Sequence, residues 1–346
     1  MVEVRMKRIV YFLWLVSIIF VLASCQSLIE NGIKKGLSRQ KINMLTDDRL
    51  HVVMVGSGGP MNNAKRLPTS TAIIAGGEFI LVDVGPGTWH NADLFGLPLR
   101  NLSAAFLTHF HSDHIVDLGE ANFGSWAAGR QKSLEVYGPE GVDKVVQGFA
   151  LAYELDVHYR IAHHGEAVMP PEASKPVARL ISIQDPNKAE LFFERNGLKA
   201  YTFLVDHSPA NPSIGYRFEY KGNVVVITGD TKQIPTLARH AKDADILISD
   251  VLSVKLTNLV HRVLLENNRA RLAKIMEDIQ GYHMSLIQTA EVARDAKAKK
   301  LVLFHITPPV TNFIIKRVFM EGISDIYKGK VVLGEDGMIF DLDPKK

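Results

Sequence analysis

The chain has 346 residues, 47% of them hydrophobic and 22% charged, enough to bury one large core or two modest ones and too apolar for a disordered polymer. Its 40 Lys and Arg against 37 Asp and Glu give a net of +3, and setting aside residues 1–24, which hold Arg5, Lys7 and Arg8 against Glu3, leaves 37 against 36. A nucleic-acid binder draws most of its affinity from neutralising phosphates; no such surplus is present, so nucleic acid is not the expected partner, and the single cysteine excludes an intramolecular disulfide.

Residues 1–8 carry positive charge, and Ile9 to Ala23 form an unbroken run of apolar or small residues that ends in Leu22-Ala23-Ser24-Cys25. A basic start, a short apolar stretch and small residues make a secretory signal peptide; the run is short for a spanning helix, which needs about 20 residues. The Leu-Ala-Ser-Cys ending resembles a bacterial lipoprotein lipobox. That resemblance implies removal of residues 1–24, a lipid on Cys25 that attaches the chain to a membrane, and residence in the cell envelope. Gln26 after the cysteine favours the outer membrane in a Gram-negative cell. The alternative is an uncleaved anchor with an incidental cysteine. Residues 25–48 are polar with weak periodicity, a tether or short helix, and residues 49–346 are the folded domain.

From Leu50 the texture changes to short apolar runs closed by glycines: HVVMVGSGG, TAIIAGGEFILVDVGPG, AAFLTH and LEVYG. Each reads as a buried strand ending in a turn. A helix is predicted over 142–164, then a Pro-rich connection around Met169-Pro170-Pro171. Strands return at YTFLVDH, IGYRFEY, VVVITGD and DILISD, with a hairpin signal at Lys221-Gly222-Asn223. Apolar residues at helical spacing predict one surface helix over 257–280. A second helix, about 285–298, leads into LVLFH, and the chain closes with a helix near 312–326 and a hairpin over 330–342. Strands alternating with helices give the fold class, α/β.

The sharpest chemical signal is Thr108-His109-Phe110-His111-Ser112-Asp113-His114, directly after the strand AAFL. Neutral imidazole and carboxylate are the ligands that zinc takes in hydrolytic sites. His109 and His111 alternate and can point one way, while Asp113 and His114 turn toward a second ion. His207, Asp230 and His305 each follow an apolar strand and offer further donors, seven in all, which suits two metals.

At these residues the sequence resembles the metallo-β-lactamase superfamily, whose H-x-H-x-D-H loop is matched by His109, His111, Asp113 and His114. The resemblance covers about residues 50–341 and is closest to the branch of RNase Z, RNase Z-like phosphodiesterases and arylsulfatases. Gly56-Ser57-Gly58-Gly59-Pro60, Leu81-Val82-Asp83-Val84-Gly85-Pro86-Gly87, Thr228-Gly229-Asp230-Thr231 and Leu303-Phe304-His305 carry it further. It implies a four-layer αβ/βα sandwich. It also implies one divalent ion on His109, His111 and His207, another on Asp113, His114 and His305, and Asp230 bridging both. The donors, mainly imidazole, favour zinc, with manganese or iron(II) as alternatives. Two such ions lower the pKa of a shared water and orient the hydroxide for in-line attack, with Asp113 as ligand and hydrogen-bond acceptor. His283 lies where RNase Z has a His-Ser-Thr stretch and is the candidate proton donor to the leaving oxygen, although Met284 replaces the small hydroxyl residue. Asp250 is expected to orient His283. Asp83 either braces the metal loop or ends its turn.

Lactamase members generally replace the bridging carboxylate, which disfavours a β-lactamase. A tRNA 3'-processing endoribonuclease is disfavoured by the export signal, the near-neutral charge and the short interval between His207 and Asp230, which leaves no room for that family's basic arm. The expected function is an exported dinuclear hydrolase acting on a small phosphodiester, sulfate ester or related ester. The alternative of another class is a non-catalytic envelope lipoprotein that uses the fold as a binding module. Oligomeric state is not legible.

Overall fold

The computed structural model describes residues 6, 26–36 and 40–345. It divides into two compact units, Met1–Lys41 and Ile42–Lys346. In the first unit residues 26–36 are helical, and the Gln26 amide donates to the Glu30 carboxylate one turn on, at 3.0 Å. Cys25 and the apolar run before it lie outside the described residues. Among the described residues no helix is long and apolar enough to cross a membrane.

The second unit contains two seven-stranded mixed sheets. The first runs, in spatial order, β14 (Ile339–Leu342), β1 (Leu50–Gly56), β2 (Ser70–Ala75), β3 (Glu78–Val82), β4 (Leu102–Phe106), β5 (Glu135–Gly138) and β6 (Val177–Leu180). The second runs β13 (Lys330–Leu333), β12 (Lys300–Thr307), β11 (Ile246–Leu252), β10 (Asn223–Ile227), β9 (Ser213–Tyr220), β8 (Leu198–Val205) and β7 (Glu190–Arg195). Side chains alternate along a strand, and here both faces are covered, so the strands read as unbroken apolar runs. On β1, Leu50, Val52 and Met54 enter the core shared by the two sheets, while Val53 and Val55 pack toward helices outside the first sheet. On β12, Val302 and Phe304 enter the shared core and Leu301 and Leu303 face helices outside the second sheet. Helix, sheet, sheet, helix is the expected αβ/βα sandwich.

The helix predicted over 142–164 spans Val142–His164. The β9–β10 turn places Lys221 and Gly222 at φ 44 and 78, the left-handed pair of a type I′ turn. The helix starting at Leu286 is held by a reciprocal cap between Ser285 and Gln288.

Four expectations are corrected. The single helix over 257–280 is two, Val254–Glu266 and Ala270–Asp278, broken where Asn268 turns left-handed at φ 55; asparagine tolerates that conformation. The helix near 312–326 is likewise two, Phe313–Phe319 and Ile323–Ile326, separated by Gly322 at φ 85. The Pro-rich connection holds a short helix, Pro171–Ser174, before β6; neither β6 nor β7 is among the predicted strands, because both are partly exposed edge strands without a continuous buried apolar run. The closing hairpin is not formed. β13 pairs parallel with β12 and β14 antiparallel with β1, in different sheets. The residues between them cross the sandwich: Gly334 N–H donates to Leu303 O and Gly337 N–H to Met54 O, and the Asp336 carboxylate accepts from Ser57 N–H, Ser57 Oγ and Leu67 N–H at 2.7–2.9 Å.

Candidate metal centre

The loop after β4 carries His109 and His111 and runs into the short helix Ser112–Ile115, which carries Asp113 and His114. Asp83, at the end of β3, holds this loop. Its buried carboxylate accepts from Thr108 N–H, Thr108 Oγ1 and His114 Nδ1, each at 2.8 Å. Thr108 Oγ1 lies 3.0 Å from His109 Nδ1. With both Nδ1 atoms occupied, the Nε2 atoms of His109 and His114 are the ones aimed inward. Asp83 therefore braces the loop, the first of its two readings.

His207 follows β8, and its Nδ1–H donates to the Tyr282 carbonyl at 2.9 Å, which turns Nε2 to the centre. Asp230 follows β10 through Gly229 at φ 63, where a Cβ would lie 3.0 Å from both Ile214 O and Thr108 Cβ, so only glycine fits. His305 is the extra residue of a β-bulge. Phe304 pairs with Asp250 and Ile306 with Val251, leaving His305 unpaired at φ 49. A bulge re-aims one side chain, and left-handed backbone at a non-glycine residue is strain that a packed site must hold in place.

The donors converge in two groups that share Asp230. His111 Nδ1 lies 2.9 Å from His109 Nε2 and 3.2 Å from His207 Nε2. Asp113 Oδ2 lies 3.2 Å from His305 Nε2 and 3.6 Å from His114 Nε2. Between the groups, Asp230 Oδ2 is 3.2 Å from His305, 3.3 Å from His114, 3.7 Å from His207 and 4.0 Å from His109. His109, His111, His207 and Asp230 form one possible ligand set; Asp113, His114 and His305 form another; and Asp230, His283 and His305 a third. His283, the candidate proton donor, is thus within ligand reach of the cluster.

This arrangement suits cations and little else. Among the described residues His114 Nε2 and Asp230 Oδ1 are buried with no hydrogen-bond partner, a cost native interiors avoid unless the group has another task. Asp230 is held well below the usual carboxylate range: burial works against ionisation, and the imidazoles of His305, His114 and His283 outweigh it. Burial pushes His109 well down, aided by the charge of His114, which keeps its ligand nitrogen neutral. Imidazole nitrogens around a shared carboxylate are the donor chemistry of zinc and its neighbours.

His283 Nδ1 lies 3.1 Å from Asp250 Oδ2. Burial pushes His283 down to about 4, whereas burial and the charge of Asp230 push Asp250 well up. The remaining histidines stand apart. His163 and His164 are exposed at a helix end. His51 is buried between the Asp47 and Asp341 carboxylates at 2.7 Å each, and His240 stacks on Phe203. Sequence reasoning passed over Asp336, which ties the glycine turn Ser57–Gly58 to the crossing segment. Its signal, Glu335 and Asp336 between two glycines, reads as the turn of the closing hairpin.

A two-sheet αβ/βα sandwich with an imidazole and carboxylate cluster at the strand ends defines a metal-dependent hydrolase. The chain belongs to the beta-lactamase superfamily domain family, which it matches over residues 79–306. A Ribonuclease Z from Mycolicibacterium gilvum (strain PYR-GCK) is 33% identical over 262 residues, 75% of this chain and 85% of that protein. Among solved structures, the short form of human tRNase Z has a TM-score of 0.60 at 20% identity, over 85% of this chain and 99% of that one. The metallo-beta-lactamase fold protein YhfI from Bacillus subtilis has a TM-score of 0.59 at 18% identity, over 85% of this chain and all of that one. These last two likenesses concern the fold. The name of the first relative runs against the expectation that nucleic acid is not a partner.

Proposed function

We propose that the protein is an exported dinuclear hydrolase that cleaves a small phosphodiester or a related sulfate or carboxylic ester. The observation that carries the reading is Asp230, whose Oδ2 lies 3.2–4.0 Å from ligand nitrogens of both clusters. His109, His111 and His207 would hold one divalent ion and Asp113, His114 and His305 the other, with Asp230 common to both and zinc favoured by the imidazole donors. Ions held there supply Lewis acidity, which acidifies water and offsets charge on the substrate oxygens. The protein's own part is positional. Asp83 and Thr108 fix the loop, Tyr282 O fixes His207, and Asp113 presents a carboxylate oxygen as ligand and hydrogen-bond acceptor. His283 would deliver a proton to the leaving oxygen from Nε2; its buried imidazole is neutral, so Nδ1 would take the replacement proton from Asp250, whose carboxyl is pushed well up and lies 3.1 Å away. We further propose, on the basic start, short apolar run and Leu22-Ala23-Ser24-Cys25 ending of the sequence, that this activity sits at a lipid-anchored position in the cell envelope.

A second reading, an RNA phosphodiester, is favoured by the relatives named Ribonuclease Z. Against it stands the interval from His207 to Asp230, which holds a short loop and the β9–β10 hairpin with no protruding arm. Elemental analysis combined with turnover of bis(p-nitrophenyl) phosphate and of a precursor tRNA separates the readings. Two metals with turnover of the small ester support the first. Cleavage confined to the tRNA replaces it with the second. Metal uptake without turnover of phosphodiesters, aryl sulfates or lactones returns the protein to a binding module. For export, Cys25→Ser should leave an unlipidated form; unchanged processing and membrane attachment refute the anchor.

A further inference from the structure

β11 and β12 are parallel neighbours, so the segments that follow them leave the same end of the second sheet, the end that carries His305. After β11 comes the helix pair Val254–Glu266 and Ala270–Asp278; after β12 comes the helix Phe313–Phe319. The pair is rooted beside the metal centre. Val260, Leu264, Met276 and Ile279 pack with Met61 and Tyr282, and the Tyr282 carbonyl is the group that orients His207. Leu256 joins Phe319 and Ile315 in the core outside the second sheet, and Lys255 pairs with Glu321 at 2.7 Å, so the two segments form one rim. From these roots apolar rows run outward at helical spacing: Leu256, Leu259 and Val263 on one helix, Ile279, Ile275 and Leu272 on the other. Leu256 and Ile279 are buried, whereas Leu259, Val263, Leu272 and Ile275, with Leu265 near the turn, are 43–49% exposed. Phe313 and Ile314 are barer still, at 79% and 60%. Single exposed apolar side chains are ordinary, but rows of them on adjoining elements mark an interaction surface.

We propose that this rim docks on an anionic lipid bilayer, lying on its surface through the bare rows of the helix pair and through Phe313 and Ile314. Charge selects that occupant. Residues 254–278 and 313–321 hold seven Lys and Arg, namely 255, 262, 269, 271, 274, 316 and 317, against four acids, Glu266, Glu277, Asp278 and Glu321, with His261 counted neutral. Each acid is already answered by a base: Glu321 by Lys255, Glu266 by Arg262 at 3.9 Å, and Glu277 and Asp278 by Lys274. Arg269, Arg271, Lys316 and Arg317 form no ion pair among the described residues, which leaves them for lipid phosphates. An apolar stripe edged by bases is what an interfacial helix presents to such a surface. A second copy of the chain would set this positive surplus against itself. The helices are also too short to span, so the contact is with the headgroup layer and the first carbons of the acyl chains. The docking is separate from any lipid on Cys25 and from the chemistry proposed for the metal centre, because it is read by partition onto vesicles and not by turnover. Its consequence for the site is orientation: the rim beside His305 faces the bilayer.

Flotation of residues 42–346, the compact unit that contains both sheets and their cores and that lacks Cys25, tests the proposal. The probes are phosphatidylcholine vesicles with and without about 30% phosphatidylglycerol. The expected result is partition onto the anionic vesicles alone, weakened by about 0.5 M salt. Phe313→Ser should lower the partition constant about tenfold, the loss of one buried aromatic side chain. Arg271→Glu should lower it about fivefold for each of the two charges changed. Both side chains are exposed, so circular dichroism and metal content should stay as in the wild type. Failure to float with anionic vesicles overturns the proposal, as does equal binding to uncharged ones. A Phe313→Ser, Leu272→Ser double variant that floats like the wild type overturns it too. Self-association that this double variant abolishes, without vesicle binding by the wild type, overturns it and assigns the rim to a second copy.

Discussion

Asp83→Asn is the sharpest perturbation of the metal loop. The φ of 56 at Asp83 is one asparagine accepts readily, so the backbone is kept and the carboxylate alone is lost. Its three hydrogen bonds, all 2.8 Å, are affected unequally. The asparagine oxygen can still accept from Thr108 N–H. Its amide then faces Thr108 Oγ1 and His114 Nδ1–H, so donor meets donor at His114, which must rotate or change tautomer. Outer partners of metal-ligating histidines are worth about 10–100-fold in affinity, which is about 1.4–2.7 kcal/mol. The loss should fall mainly on the ion proposed for Asp113, His114 and His305, because His109 keeps its Thr108 contact. Without metal, a buried His114 nitrogen deprived of its charged acceptor should cost about 2–3 kcal/mol of stability. Chelator competition measures the first quantity and urea denaturation of metal-free protein the second. If Asp83→Asn binds both ions as tightly as the wild type while His114→Ala loses one, the bracing role is wrong.

Asp230→Ala should release both ions together, since one oxygen faces both clusters; selective loss of a single ion in elemental analysis would refute the bridge. His283→Ala should keep the metals while lowering turnover about 10²–10⁴-fold on alkyl esters, the span of a lost general acid, and far less on p-nitrophenyl esters, whose leaving group needs no proton. Loss of an ion from that variant would make His283 a ligand instead. His240 predicts acid sensitivity away from the site. Burial, with Arg239 and Arg217, pushes it down to about 4, against about 6.5 in an unfolded chain. The unfolded state therefore binds the extra proton between those values, so stability is full above about 6.5 and is lost as pH falls toward 4. His240→Phe, which keeps the stack on Phe203, should flatten the chemical-denaturation midpoint across that window, and an unchanged slope would refute the assignment.

The sequence by itself determined the layered α/β class, because strands buried on both faces must be written as unbroken apolar runs between glycine turns. It also marked the candidate donors, since a metal needs particular atoms and few residue types supply them, and the fold brings His109, His111, Asp113, His114, His207, Asp230 and His305 together in groups that could hold a metal. Whatever depended on partners distant in the chain was not legible. Asp83 could equally end a turn or brace a loop until the fold set His114 against it, 31 residues on. Nothing local marks His305 as a bulge, because the extra residue exists only relative to β11. β13 and β14 look like one hairpin, and Asp336 sends them to opposite sheets by accepting hydrogen bonds from Ser57 and Leu67, more than 260 residues away. Periodicity reports which side of an element is apolar; what covers that side is decided only when the layers close.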